Sequence, residues 1–211
     1  GIHSRLATDH YHYVEDGGCT YHSRYSSWSC YRGQESDNWV ADLAPTPTEF
    51  APNQLSPEGA TGTLREMRRH GGWQNMHNRE RLHSEDDFPM SKTFEDGIDF
   101  LNRNGRYDNW FLQIETFDPH EPFTSPISHF DPDCATQPDW PPYADVTEGP
   151  EEIEAIRTKY EASVRFCDRQ LGRVLDLMDE LDLWKDTMLI VNTDHGFFLS
   201  EHGYWGKGGS P

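Results

Sequence analysis

The stretch NTDHGFFLSEHGYWGKGG (192–209) crowds three groups that bind or move charge: Asp194 and His195 side by side, and Lys207 twelve residues after His195. A carboxylate and an imidazole can hold one divalent cation, the first as a hard ligand and the second as a borderline one. An ammonium among glycines can bind an anionic oxygen. The same residues have a plainer reading. Asp194 caps a turn that Gly196 permits, His195 is a surface histidine and Lys207 is a solvated loop charge.

Two further clusters carry similar chemistry. In FLQIETFDPHEPF (111–123), His120 follows Asp118 by two residues. An imidazole titrating near neutrality can protonate a leaving alkoxide, or it can be a loop histidine held by neighbouring acids. Asp118 is better suited to orienting the turn than to touching a substrate. In ATDHYHYVEDGG (7–18), His10 and His12 share one face of an extended segment. They could converge on an anion or a second metal, or simply be hydrogen-bonded at a strand end.

These residues must be positioned by regular elements, and the pattern predicts several. Residues 2–8 and the run NWFLQIET (109–116) read as strands, and the apolar run before Asp194 makes 186–193 a third. Ser91 caps a helix to about Asn102, which Asn104-Gly105 ends. Pro150 opens a long helix from about Glu151 to Leu181. Its stripe, Ile153, Ile156, Tyr160, Val164, Cys167, Leu171, Val174, Leu175 and Met178, has helical period. Between the elements lie two long loop-rich excursions, 14–90 and 117–149. The first holds a linker-like tract at 44–62 and one or two short helices, roughly at 63–70. Apolar strands alternating with helices imply an α/β fold with a mostly parallel sheet, whose ligands bind beyond the C-terminal strand ends. Asp118/His120 and Asp194/His195 both fall at that edge.

Composition narrows the partners. With 37 acidic against 18 basic residues the formal charge is −19, which argues against nucleic acid. No apolar run is long enough to span a membrane. An anionic substrate needs a local cation here, such as a metal. The chain is only 34% hydrophobic, and it is expected to be a segment of a longer polypeptide. None of the four cysteines forms a C-x-x-C pair; Cys19 and Cys30 could bridge a short loop, and Cys167 is expected in the core.

Three stretches in order, DPHEPF, the helix YEASVRFCDRQLGRVLDLM (160–178) and DHGFFLSEHGYWGK, together resemble the sulfatase family of the alkaline-phosphatase-like superfamily. The resemblance covers about 100–211 and implies one catalytic domain of alkaline-phosphatase-like fold, incomplete in residues 1–211. It implies Asp194 and His195 as metal ligands, His120 at the ester oxygen and Lys207 on an oxygen of the anionic group. The implied metal is calcium; a histidine ligand leaves manganese, magnesium or zinc open. Sulfatases often carry G-K-W-H after their first strand, whose Lys and His bind sulfate. Here Asp9 replaces that Lys and Tyr11 the His in strict register; a slip of one residue puts His10 or His12 in the substrate-binding position.

The family nucleophile, a formylglycine made from C-x-P-S-R, has no counterpart, since the cysteines read CTYHS, CYRGQ, CATQP and CDRQL. The implied activity is therefore that of a parent enzyme, with residues 1–211 alone inactive. Its substrate would be a sulfated carbohydrate or aryl sulfate, and the Tyr/Trp/Arg-rich region 20–40 could stack sugars or pack a subdomain. Two alternatives stand beside it: a phosphonate monoester or phosphodiester hydrolase of the same superfamily, which His195 favours, and a non-catalytic, degenerate member.

Overall fold

The computed structural model describes residues 1–43, 74–75, 77–130, 143 and 145–207. The chain forms two compact units, one of Gly1–Leu43, His70–Asp118 and Cys167–Met188, the other of Ala44–Arg69, Pro119–Phe166 and Leu189–Pro211. The expected linker tract at 44–62 and the short helices near 63–70 lie outside the described residues.

The first unit is built on a parallel sheet. Strand β1 (His3–Thr8) lies between β2 (Ser27–Cys30) and β3 (Trp110–Glu115). Arg5 pairs with Ser27 on one side and Leu112 on the other, and Thr8 with Cys30 and Glu115. Leu6, Ala7 and Thr8 are buried, as a central parallel strand requires. Helix α1 (Pro89–Asn104) covers the sheet through Met90, Phe94, Phe100 and Leu101. It approaches β3 closely at Gly97, where a Cβ would lie 2.3 Å from Ile114 Cδ1. Arg5 on β1 reaches both carboxylate oxygens of Asp96 on α1, at 2.6 and 2.7 Å, and Tyr31 donates to the same group at 2.9 Å. Burial alone would raise the Asp96 pKa, but the hydrogen bonds from Arg5, Ser29 and Tyr31 hold it below the usual carboxylate value.

Several sequence expectations change here. β2 lies inside the supposed 14–90 excursion. SWSC is too short and too polar to show a period, and its pairing comes from β1 rather than from its own propensity. Ser91 is not the cap of α1. Pro89 is its first residue and Phe88 its N-cap, while Ser84 and Asp87 close the preceding turn reciprocally. Ser91 is buried and accepts from Gln170 Nε2 at 3.4 Å. Cys19 and Cys30 are free thiols rather than a bridge.

Helix α2 (Pro126–Phe130) is short, and helix α3 (Pro150–Glu180) opens on Pro150 with Glu151 and Glu152 in its first turn. Ile156, Val174 and Met178 of its apolar stripe are buried, whereas Val164 and Leu175 are more than a third exposed. Ser163 and Gln170 occupy buried positions instead. Gln170 donates to Ser91 and Glu85, which satisfies its amide away from water. Cys167 is half-buried rather than fully in the core.

The expected strand at 186–193 is absent from every ladder among the described residues. A short turn at Leu183–Lys185 precedes it, and Met188, Ile190 and Val191 are 81%, 68% and 66% exposed. An apolar run becomes a strand only when a neighbour takes its backbone hydrogen bonds, and none of the described strands runs beside it.

In the second unit, β4 (Phe198–Leu199) and β5 (Trp205–Gly206) form a small antiparallel pair. Phe123, Ile156 and Trp205 make its core, with Ile153, Tyr160, Phe197 and Leu199 packed against them. Trp205 satisfies its indole N–H on Glu148 at 2.7 Å. Arg157 from α3 donates to Leu199 O at 3.0 Å and Ser200 Oγ at 2.7 Å, fixing the chain that leads to Lys207.

Candidate functional site

Of the expected site residues, the second unit brings His120 and Lys207 into direct contact. β5 ends at Gly206, whose φ of +122° and contact with Tyr143 (2.7 Å from a Cβ at this position) suit glycine, and Lys207 follows. The Lys207 ammonium donates to His120 Nε2. His120 Nδ1 lies 2.6 Å from the Glu121 carbonyl; a carbonyl only accepts, so Nδ1 carries the proton and Nε2 presents its lone pair to the lysine. Burial holds the imidazole below its ordinary pKa; Glu121 pulls the other way, and Lys207 and His195 nearby lower it further.

Glu121 completes the cluster and was not singled out in the sequence. It is buried; its carboxylate lies 3.3 Å from His120 Nδ1 and 3.4 Å from Lys207 Nζ, and it accepts from the Tyr143 hydroxyl. Its one sequence signal was its place inside HEPF. The arrangement keeps a neutral imidazole of fixed tautomer against a charged ammonium, with a buried carboxylate behind both. Such a group can bind an anionic oxygen through Lys207 and pass a proton at Nε2.

A family model described as Sulfatase matches residues 12–211. The chain belongs to the sulfatase family. Among its relatives, iduronate 2-sulfatase of Mus musculus is 36% identical over 99 residues, 43% of this chain and 17% of that one. An arylsulfatase of Clostridium perfringens is 25% identical over 147 residues, 61% and 30% respectively. The fold is similar to that of the phosphonate monoester hydrolase of Agrobacterium radiobacter (TM-score 0.55, 18% identity, all of this chain and 48% of that one). The chain thus spans less than a third of the length of these curated relatives and about half of the solved structure.

Elsewhere in this sulfatase chain the expected residues fare differently. Asp194 and His195 do not sit at a strand end, because 187–193 is not a strand here. Asp194 Oδ1 accepts the His195 backbone N–H at 2.8 Å, the plain capping role. Its other oxygen lies 3.4 Å from His195 Nε2. His195 Nδ1 donates to the Gly196 carbonyl at 3.1 Å, which leaves the Nε2 lone pair for a cation. Two donors at that spacing fit one divalent ion. No third His, Cys, Asp or Glu completes a group with them among the described residues.

In the first unit, His10 and His12 do come together, with ring centroids 5.3 Å apart. They do so on a 3-10 turn at Tyr11–Tyr13, not on an extended segment, because β1 ends at Thr8. Each faces an acid: His10 Nδ1 lies 3.4 Å from Glu115, and His12 Nδ1 2.6 Å from Glu15. Phe117 packs against both rings, at 5.0 and 5.7 Å between centroids. Each imidazole of the expected substrate-binding pair, His10 and His12, thus stands beside a carboxylate.

No described helix is long and apolar enough to cross a membrane.

Proposed function

We propose that the protein to which this chain belongs hydrolyses sulfate esters. The Lys207–His120 contact, backed by buried Glu121, carries this reading. Lys207 binds a non-bridging oxygen of the ester, displacing its bond to His120. Freed from the ammonium, Nε2 takes a proton from solvent water and gives it to the departing alkoxide. Glu121 keeps Nδ1–H oriented and offsets the second positive charge while the imidazole is protonated.

A divalent ion held by Asp194 and His195 would neutralise anionic oxygens of the ester as a Lewis acid. The family nucleophile, a formylglycine hydrate, would come from residues other than 1–211. Relatives include a choline-sulfatase and an N-acetylglucosamine-6-O-sulfatase, which leaves a sulfated sugar or a small alkyl or aryl sulfate as the substrate class.

Rates of the complete protein on matched aryl sulfate and aryl phosphonate test the reading. A dominant sulfate rate is expected, and a dominant phosphonate rate overturns it. Residues 1–211 alone are expected to turn over neither ester.

A further inference from the structure

The two oxygens of the buried Glu121 carboxylate are served unequally. Oε1 accepts the Tyr143 hydroxyl and also faces Lys207 Nζ at 3.4 Å. Oε2 is 3.3 Å from His120 Nδ1, but that nitrogen lies closer to the Glu121 carbonyl, at 2.6 Å. Oε2 accepts no hydrogen bond among the described residues. A buried carboxylate with one hydrogen bond is short of donors. The 3.4 Å to Lys207 exceeds the about 2.7–2.9 Å of a charge-assisted ammonium–carboxylate bond. The ammonium donates to His120 Nε2 instead.

Tyr143 is brought to Glu121 by the β4–β5 pair. Asp145 bridges Tyr204 in antiparallel sense, and the Val146 N–H donates to Gly203 O at 2.8 Å. Just upstream, the Tyr143 ring lies on Gly206 and edge-on to Phe197, with ring centroids 5.8 Å apart. The ring thus packs on the residue before Lys207, while its hydroxyl reaches the carboxylate behind it. A phenylalanine would fill the same space; only the hydroxyl calls for tyrosine. The hydroxyl matters for what Lys207 can do. An ammonium on a neutral imidazole yields that bond readily to an anionic oxygen. An ammonium closed onto a buried carboxylate does not, because breaking the pair strands a charge away from water.

We propose that Tyr143 is a positioning residue for Lys207: its hydroxyl occupies Glu121 Oε1, which keeps the ammonium off that oxygen and ready for an anionic ligand. Without the hydroxyl, Lys207 is the donor left to Oε1 among the described residues, and the ammonium closes the 3.4 Å gap. All of these groups belong to the second unit. The consequence for ester hydrolysis rests on the sulfatase reading; the restraint on Lys207 does not.

The test is the binding of inorganic sulfate to the complete protein, measured by calorimetry at one fixed divalent metal content, which needs no turnover. Tyr143→Phe is expected to weaken sulfate binding by about 10–100-fold. In a Glu121→Gln background Lys207 has no carboxylate to close onto, and the same substitution is expected to change binding by less than about twofold. This cycle separates positioning from packing, because a hydroxyl that only packs would cost the same in both backgrounds. Sulfate affinity unmoved by Tyr143→Phe overturns the proposal, and so does an equal loss in both backgrounds. In the unaltered protein the Tyr143 hydroxyl proton is expected as an exchange-protected NMR signal with a cross-peak to the Glu121 side chain. Its absence overturns the proposal even if Tyr143→Phe does not fold. The expected cycle in an enzyme that turns over aryl phosphonate in preference to aryl sulfate would defeat the sulfatase reading alone.

Discussion

The corner around His10 and His12 and the corner around His120 and Lys207 are made of similar residues and reach opposite electrostatic outcomes. In the first, each imidazole faces a carboxylate of its own, and Tyr13 and Gln113 also direct their donors to Glu115, at 2.7 and 2.6 Å. In the second, an imidazole and an ammonium both lie against the carboxylate of Glu121. The first corner sets each imidazole against a carboxylate; the second sets an imidazole against an ammonium as well. What a histidine can do follows from the charged groups folded against it more than from its place in a motif.

Substitutions in the complete enzyme can break or sharpen this contrast. The largest effect is expected from His120→Ala on poor leaving groups, a fall in kcat of about 10²–10⁴-fold, with far less loss on good ones. Equal slowing across a series of aryl sulfates would remove its acid role. Lys207→Ala should cost about 10²–10³-fold in kcat/KM, the usual loss of one oxyanion donor. A loss confined to KM would make Lys207 a ground-state anchor only. Asp194→Ala should lower the divalent metal per protein measured by elemental analysis, by about 10-fold or more at limiting metal. Unchanged metal content would take Asp194 out of the ligand set.

Smaller effects test the electrostatics. The His120 ring should titrate below its ordinary value of about 6.5, so the folded state binds this proton less readily than the unfolded chain. Its contribution to stability therefore falls as pH drops below that value. Glu121→Gln removes the opposing pull, and the His120 midpoint read by NMR should move lower still. A rise would show that Glu121 does not support the protonated ring. The smallest effect is expected from His12→Ala, because its pair with Glu15 is exposed: thermal unfolding should change by less than about 1 kcal/mol. Aryl sulfate kcat/KM should change by less than about threefold, and a large loss of turnover there would erase the contrast between the two corners.

Much of the frame was legible. β1, β3 and α3 begin and end within one or two residues of the expected positions, because a continuous apolar run and a helical stripe declare themselves locally. β2 was not legible, because four residues reading SWSC acquire strand geometry only from β1 beside them. The reverse holds for 186–193, where the apolar run is present and the pairing is not. The order of DPHEPF, helix and DHGFFLSEHGYWGK carried the family, and the match over residues 12–211 agrees with it.

The sequence by itself determined which groups are available: an acid and an imidazole at 194–195, a histidine after a strand, a lysine among glycines and a large negative charge. Tertiary structure alone decided their partners. It set Lys207 on His120 with Glu121 behind both, gave His10 and His12 their own acids, and set Asp9 and Asp118 on one amide of Gln34. The physical reason is that charge states depend on burial and on neighbours within a few ångströms. For Asp9 and Asp118, more than 100 residues apart in the chain, only the paired ends of β1 and β3 bring those neighbours together.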